Sequence, residues 1–172
     1  MIYLLAFCRV AIGLVFAVSS LGKVRNLAQF QRAIVGFHLL PRRLSHLAVL
    51  CLLCGEIAVV LLMLIGGPLL LDGFALAILL LLIFCATLAS VLVRRLHTSC
   101  NCFGSSDKPV TLVDIWRNLG LLLCAGGGCE ALIWTRGAQV SLEGSAWLFI
   151  ALGAGVFVLI WTQLGEIVQI FR

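Results

Sequence analysis

Charge is what this sequence has least of. Only 11% of its 172 residues are Asp, Glu, Lys or Arg, against about 25% in an ordinary soluble domain. No stretch of about 50 residues is polar enough to fold as a separate water-soluble unit. Acidic residues are scarcer than basic ones, seven against twelve, for a formal net charge of +5. In a soluble domain that balance would point to nucleic acid. In a chain that is 63% hydrophobic, with a mean hydropathy of +1.20, it is first a topology signal, and nucleic acid is set aside as a partner. Internal repeats and a low-complexity tail are also missing, which leaves a single compact helical membrane unit over residues 1–172.

What is present is apolar runs of spanning length. A helix needs about 20 mostly apolar residues to cross a hydrocarbon core of about 30 Å. Five segments qualify: 2–21, 47–65, 69–93, 112–134 and 146–164. The first is not read as a secretory signal, because its apolar run exceeds a signal's core and only Arg9 marks a basic start. The expected fold is an all-α integral membrane protein, a four-helix core plus one further helix, with the termini on opposite faces. Between the first two spans, residues 22–46 carry Lys23, Arg25, Arg32, Arg42 and Arg43, with Phe30, Ile34, Val35 and Phe37 at roughly helical spacing. That pattern predicts a short amphipathic interfacial helix ended by Pro41. Residues 66–68 read as a tight turn, and Thr111 as the N-cap of the fourth span with Asp114 three residues on.

Nine of the twelve cations then fall on one membrane face, side A: Lys23, Arg25, Arg32, Arg42, Arg43, Arg94, Arg95, Lys108 and Arg172. Arg136, with Arg9, marks side B. The positive-inside rule makes side A cytoplasmic and the N-terminus external. Gly126, Gly127, Gly128, Gly153 and Gly155 are small residues that allow close helix approach. Trp116, Trp134, Trp147 and Trp161 fall near span ends, as an aromatic belt would.

Eight cysteines are many for a bilayer protein. Cys100 and Cys102 lie in Ser99-Cys100-Asn101-Cys102-Phe103-Gly104, in the polar segment between the third and fourth spans. A disulfide across one intervening residue closes a small ring away from relaxed geometry, so it exchanges readily and suits a redox pair rather than a staple. Arg94, Arg95, His97, Lys108 and the start of the following helix all favour the reactive thiolate. Cys51 and Cys54 form a second pair, one helical turn apart and roughly 6 to 12 Å below side A. Exchange between the two pairs is one reading of Cys51 and Cys54; plain packing is the other. Cys8, Cys85, Cys124 and Cys129 are single and read as packing. His97, Cys100 and Cys102, with Cys51 and Cys54, also suggest a thiophilic metal site.

Glu56, two residues after Cys54, is an ionisable group in hydrocarbon and therefore faces the bundle interior. It is read either as a proton donor and acceptor for thiol exchange or as an ion-pair partner of Arg117, with Asn118 hydrogen-bonding across the bundle. Glu130 and Glu166 lie nearer helix ends and are read as solvated.

The order Arg9, Ser19-Ser20, Lys23, Phe30, Leu40-Pro41, Glu56, Cys100-x-Cys102-Phe103-Gly104 and Arg117-Asn118 resembles the methylamine-utilisation MauE family, a relative of the DoxX-like membrane proteins. The resemblance implies a multi-pass protein of the bacterial inner membrane in thiol–disulfide traffic, beside a thioredoxin-like partner or a disulfide-bearing client. It implies Cys100 and Cys102 as the redox pair and Glu56, Arg117 and Asn118 as embedded polar partners. Comparison of such proteins with quinone-coupled disulfide enzymes makes quinone the cofactor to consider. Cys51 and Cys54 lie outside the family pattern. Three functions follow: a thiol–disulfide oxidoreductase, a thiophilic metal binder or transporter, and an assembly factor without chemistry. A role in external disulfide chemistry would put the Cys100 segment outside, against the charge count.

Overall fold

The computed structural model describes residues 1–27, 31, 42–94, 112–135 and 144–170, with side chains of the second and last helices described over 46–65 and 145–161. Among the described residues there are five long α-helices, α1 (Ile2–Arg25), α2 (Arg42–Ile65), α3 (Leu70–Val93), α4 (Leu112–Thr135) and α5 (Gly144–Ile170), and no strand. Four of the apolar stretches, Ile2–Arg25, His46–Ile65, Gly67–Val93 and Leu112–Thr135, are long and apolar enough to cross a bilayer. In α5 the apolar part with described side chains is Ser145–Trp161, within a helix of 27 residues, about 40 Å at 1.5 Å per residue.

The helices run up and down. Each core helix packs on two others, α1 on α2, α2 on α3, α3 on α4 and α4 back on α1, which closes a four-helix ring. α5 lies outside the ring, mainly against α1. The expected four-helix core plus one is therefore the observed arrangement. In α1 the buried positions Cys8, Ile12, Val15, Phe16, Ser19 and Lys23 recur at three and four residues, a stripe facing the centre. They meet Val59, Met63, Phe74, Ala77, Leu81, Leu121 and Ala125 in the core.

Two boundaries differ from expectation. Residues 22–25 are the last turn of α1, and α2 begins at Arg42, so much of the expected interfacial segment belongs to the spans. Within the rest of that segment Leu27 and Gln31 are helical, while Phe30, Ile34, Val35, Phe37 and Pro41 lie outside the described residues. The α2–α3 turn is as short as expected: Gly66 and Gly67 have φ of 69° and 63°, and a 3-10 turn over Gly67–Leu69 leads into α3. The positive φ of Gly66 is what favours glycine there, and a Cβ would also press on the Arg9 guanidinium.

Arg9 is not a free side B cation. Its Nε donates to the Met63 carbonyl at 2.6 Å and Nη2 to the Leu64 carbonyl at 2.9 Å, satisfying two of the carbonyls that end α2 without a helical partner. Trp147 of α5 stacks under the guanidinium, 5.7 Å from it.

The glycine expectation narrows to one residue. A Cβ at Gly128 would sit 2.6 Å from the Phe74 ring and 2.9 Å from Cys8 Cβ, whereas Gly126, Gly127, Gly153 and Gly155 have nothing within 4 Å. Close approach occurs instead at Gly120, over which the Trp161 ring lies. Trp161 consequently belongs to the α4–α5 contact rather than to an aromatic belt; its Nε1 donates to the Arg117 carbonyl at 3.1 Å, and it stacks on Phe157 at 5.0 Å.

Candidate functional site

The interior of the ring is apolar except at the end where α1 and α3 finish and α2 and α4 begin. There α1 presents Ser19 and Lys23, four residues apart and so on one face. Opposite them stands Glu56 of α2. Lys23 Nζ forms an ion pair with Glu56 Oε1, and Ser19 Oγ donates to the same oxygen at 3.2 Å. The two charged side chains are 1% and 0% exposed, a depth at which a lone charge is intolerable and a pair is required. The Phe84 ring of α3 lies 4.5 Å from Lys23 Nζ and adds a cation–π contact.

Glu56 thus finds its partner in Lys23, correcting the expected pairing with Arg117. Arg117 instead approaches Asp114 one turn back on α4, Nη2 to Oδ1 3.6 Å, and Asn118 Nδ2 donates to the Asp114 carbonyl at 3.2 Å. Both Arg117 and Asn118 are buried, as embedded polar groups should be. Lys23 is also removed from the side A topology charges, since it is paired inside the bundle.

Between these groups lies a small cleft of about 20 Å³, room for about one water. All four ring helices contribute: Val15, Phe16, Ser19 and Lys23 from α1, Glu56 from α2, Leu81 and Phe84 from α3, and Asn118 and Leu121 from α4. It is mostly greasy wall with a polar head.

The cysteines separate into three groups. Cys8 is buried in the core, with Cys124 and Cys129 packed against the same cluster; Cys85, Cys124 and Cys129 are half-buried, consistent with packing. Cys51 and Cys54 are exposed on the outer face of α2, away from Glu56, so they do not join the interior cluster. All six are free thiols. His97, Cys100 and Cys102 lie outside the described residues, and with them the expected redox pair and metal alternative. Among the described residues no group of three or more His, Cys, Asp or Glu side chains is placed to hold a metal ion. The segment 95–111 that carries the pair starts after Arg94 and rejoins the bundle at Leu112, at the same end as the polar cluster.

The family model described as "Methylamine utilisation protein MauE" matches residues 1–131. A curated relative, "Methylamine utilization protein MauE" of Paracoccus denitrificans, is 33% identical over 156 residues, covering 86% of this chain and 83% of its own. The chain belongs to the MauE family. No solved structure matches it. The family match runs through α1, α2, α3 and most of α4, so it takes in the ring, the polar cluster and the Cys100 segment, and stops before the outlying α5. Family membership and the four spanning helices make it a multi-pass membrane protein.

Sequence reasoning missed Lys23 as a functional-site residue. The signal was present: Ser19 and Lys23 continue the core stripe of Ile12, Val15 and Phe16 at helical spacing. Ending the first span at Leu21 placed Lys23 in a loop and hid it.

Proposed function

We propose that the chain is a thiol–disulfide oxidoreductase of the bacterial inner membrane, serving methylamine utilisation through Cys100 and Cys102. The observation that carries the reading is that the segment bearing the pair is anchored at the end of the ring that holds Lys23, Glu56 and Asn118. One thiolate of the pair attacks a client disulfide, forming a mixed disulfide and releasing a client thiolate, which takes up a proton. The second thiolate displaces the remaining client sulfur, so the client leaves as a dithiol and the pair as a disulfide, two electrons having passed to the client. A thioredoxin-like dithiol returns the pair to its reduced state by the same steps. Glu56, held by Lys23 and Ser19, is the ionisable group that exchanges the proton, and Arg117 and Asn118 support the same end of α4.

Cys51 and Cys54 face outward, so any electron relay through them runs along the outside of α2 to a neighbouring membrane protein. The cation count favours a cytoplasmic pair and a cytoplasmic reductant; an external pair would act directly on a secreted client. Alkylation before and after reduction, read by mass spectrometry, tests the chemistry: Cys100 and Cys102 should switch between free and disulfide forms. A pair that stays free under every condition refutes it, and stoichiometric metal lost on C100S/C102S would establish metal binding instead. Membrane-impermeant thiol labelling in intact cells reads the orientation.

A further inference from the structure

Arg9 carries a charge that no described side chain of the bundle balances. Among the described residues Glu56 is paired with Lys23 and Asp114 with Arg117, and no carboxylate pairs with Arg9. The guanidinium is planar, with five N–H donors on edges that suit bidentate bonding. Its side edge is taken by α2, Nε donating to the Met63 carbonyl and Nη2 to the Leu64 carbonyl. The end edge, formed by Nη1 and the second Nη2 hydrogen, has no partner among the described residues. The neighbouring helix ends do not supply the missing charge. The C-terminus of α2 contributes about −0.5 of an elementary charge and the N-terminus of α5, whose Trp147 stacks on the guanidinium, about +0.5, so the two nearly cancel. No acidic residue stands in the first turn of α5. Arg9 is half-buried, and a cation at the margin of hydrocarbon calls for an anion. The side chain is also held still: the carbonyls fix one edge, Trp147 covers a face and Gly66 packs against it. The end edge is therefore presented in one direction, ready for a partner.

We propose that the end edge of Arg9 binds a phosphate group, two of whose oxygens accept its two N–H bonds. The level is that of lipid head groups, because Arg9 reaches the last carbonyls of α2, next to the turn at Gly66. Leu64 and Ile65 at the end of α2 and Leu148 beside Trp147 are all exposed, an apolar bed for acyl chains. The chemistry recognised is the phosphate, borne by a membrane phosphodiester or by a free phosphate ion. The site lies at the opposite end of α1 from Lys23 and is separate from the thiol chemistry. Bound there, the phosphate completes the junction of α1, α2 and α5.

The test is titration of the delipidated full chain in dodecyl maltoside, with bound copies counted by native mass spectrometry. The probes are dioctanoylphosphatidylglycerol, dioctanoylglycerol, which lacks the phosphate, and inorganic phosphate. One phosphatidylglycerol should bind about tenfold or more tighter than dioctanoylglycerol. R9M should erase that difference, whereas R25M/R94M, which removes two exposed cations of the opposite face, should keep it. R9K retains the charge but not the fork and should weaken binding about fivefold or more. If R9M fails to fold, R9K and the selectivity of the unaltered chain still decide. Inorganic phosphate binding as tightly as phosphatidylglycerol identifies the free ion as the ligand; weaker phosphate binding identifies the lipid. Equal binding of phosphatidylglycerol and dioctanoylglycerol, or an R9K chain that binds as the unaltered one does, overturns the proposal. So does phosphatidylglycerol binding to E143Q but not to the unaltered chain, which would make Glu143, the residue before α5 in sequence, the anion that Arg9 takes.

Discussion

Removing one partner of the Lys23–Glu56 pair should destabilise the protein far more than removing both. The pair is 1% and 0% exposed, so solvent screening is negligible and the interaction is not discounted as a surface bridge would be. Two unit charges about 4 Å apart attract by about 4 kcal/mol at an effective dielectric of about 20. Breaking a buried pair from one side costs about 3–5 kcal/mol, because the survivor is left uncompensated. We therefore expect E56L and K23M each to lose about 3–5 kcal/mol. The double change K23M/E56L puts apolar side chains of similar size in a site walled by Phe16, Leu81 and Phe84. Its main residual cost is the lost Ser19–Glu56 hydrogen bond, about 1–2 kcal/mol, so a coupling energy of about 3 kcal/mol or more should emerge. The assay is reversible SDS unfolding of the full chain in mixed micelles, followed by tryptophan fluorescence and far-UV circular dichroism, run as a double-mutant cycle. Single variants within about 0.5 kcal/mol of the parent, or a double variant equal to the sum of the singles, would refute the reasoning.

Three other outcomes are expected. R9M, which leaves the Met63 and Leu64 carbonyls without their side-chain donor, should lower stability by about 1–3 kcal/mol in the same unfolding assay, whereas removing Trp147 by W147A should cost less, about 0.5–1 kcal/mol from the cation–π contact. G128A should cost about 1–3 kcal/mol through overpacking against Phe74 and Cys8, while G126A and G127A, in open space, should be neutral or stabilising by up to about 1 kcal/mol through helix propensity; equal effects at all three glycines would count against the packing. Cys51 and Cys54 should react with membrane-permeant N-ethylmaleimide much faster than buried Cys8 in the native protein, a difference that denaturation in SDS erases.

Much of the architecture was legible in the sequence because a bilayer imposes length. Five apolar runs of about 20 residues admit few arrangements, and short connections make successive helices antiparallel neighbours. The helix faces were harder to read. Gly126, Gly127 and Gly128 look alike in sequence, yet each residue turns the helix by about 100°, so Gly128 alone meets Phe74 and Cys8. Glu56 was recognisable as an interior group because hydrocarbon does not tolerate a solitary carboxylate. Its partner was not, since ending the first span at Leu21 put Lys23 in a loop and left Arg117 as the cation within reach, whereas α1 runs on to Arg25. Arg9 and Trp161 misled for a related reason: a cation and an indole near span ends resemble interfacial anchors until the carbonyls of Met63, Leu64 and Arg117 are seen to accept their hydrogen bonds.

Those polar contacts also supply what apolar packing in lipid cannot. Leucine and valine against lipid tails are nearly as well placed as against another helix, so the hydrophobic effect does little to fix how far one spanning helix slides past its neighbour. α1 carries Arg9 near one end and Lys23 near the other, about 21 Å apart along the axis at 1.5 Å per residue. Both engage α2: Arg9 takes its terminal carbonyls, and Lys23 with Ser19 takes Glu56. A slide of one helical turn, about 5.4 Å, would preserve an apolar interface yet break both contacts at once. α1 and α2 are thereby locked in register at two points, and the second lock is the cluster that heads the cleft. The same interaction that sets the register therefore holds the Glu56 carboxylate inside the ring, at the end from which the segment bearing Cys100 and Cys102 departs.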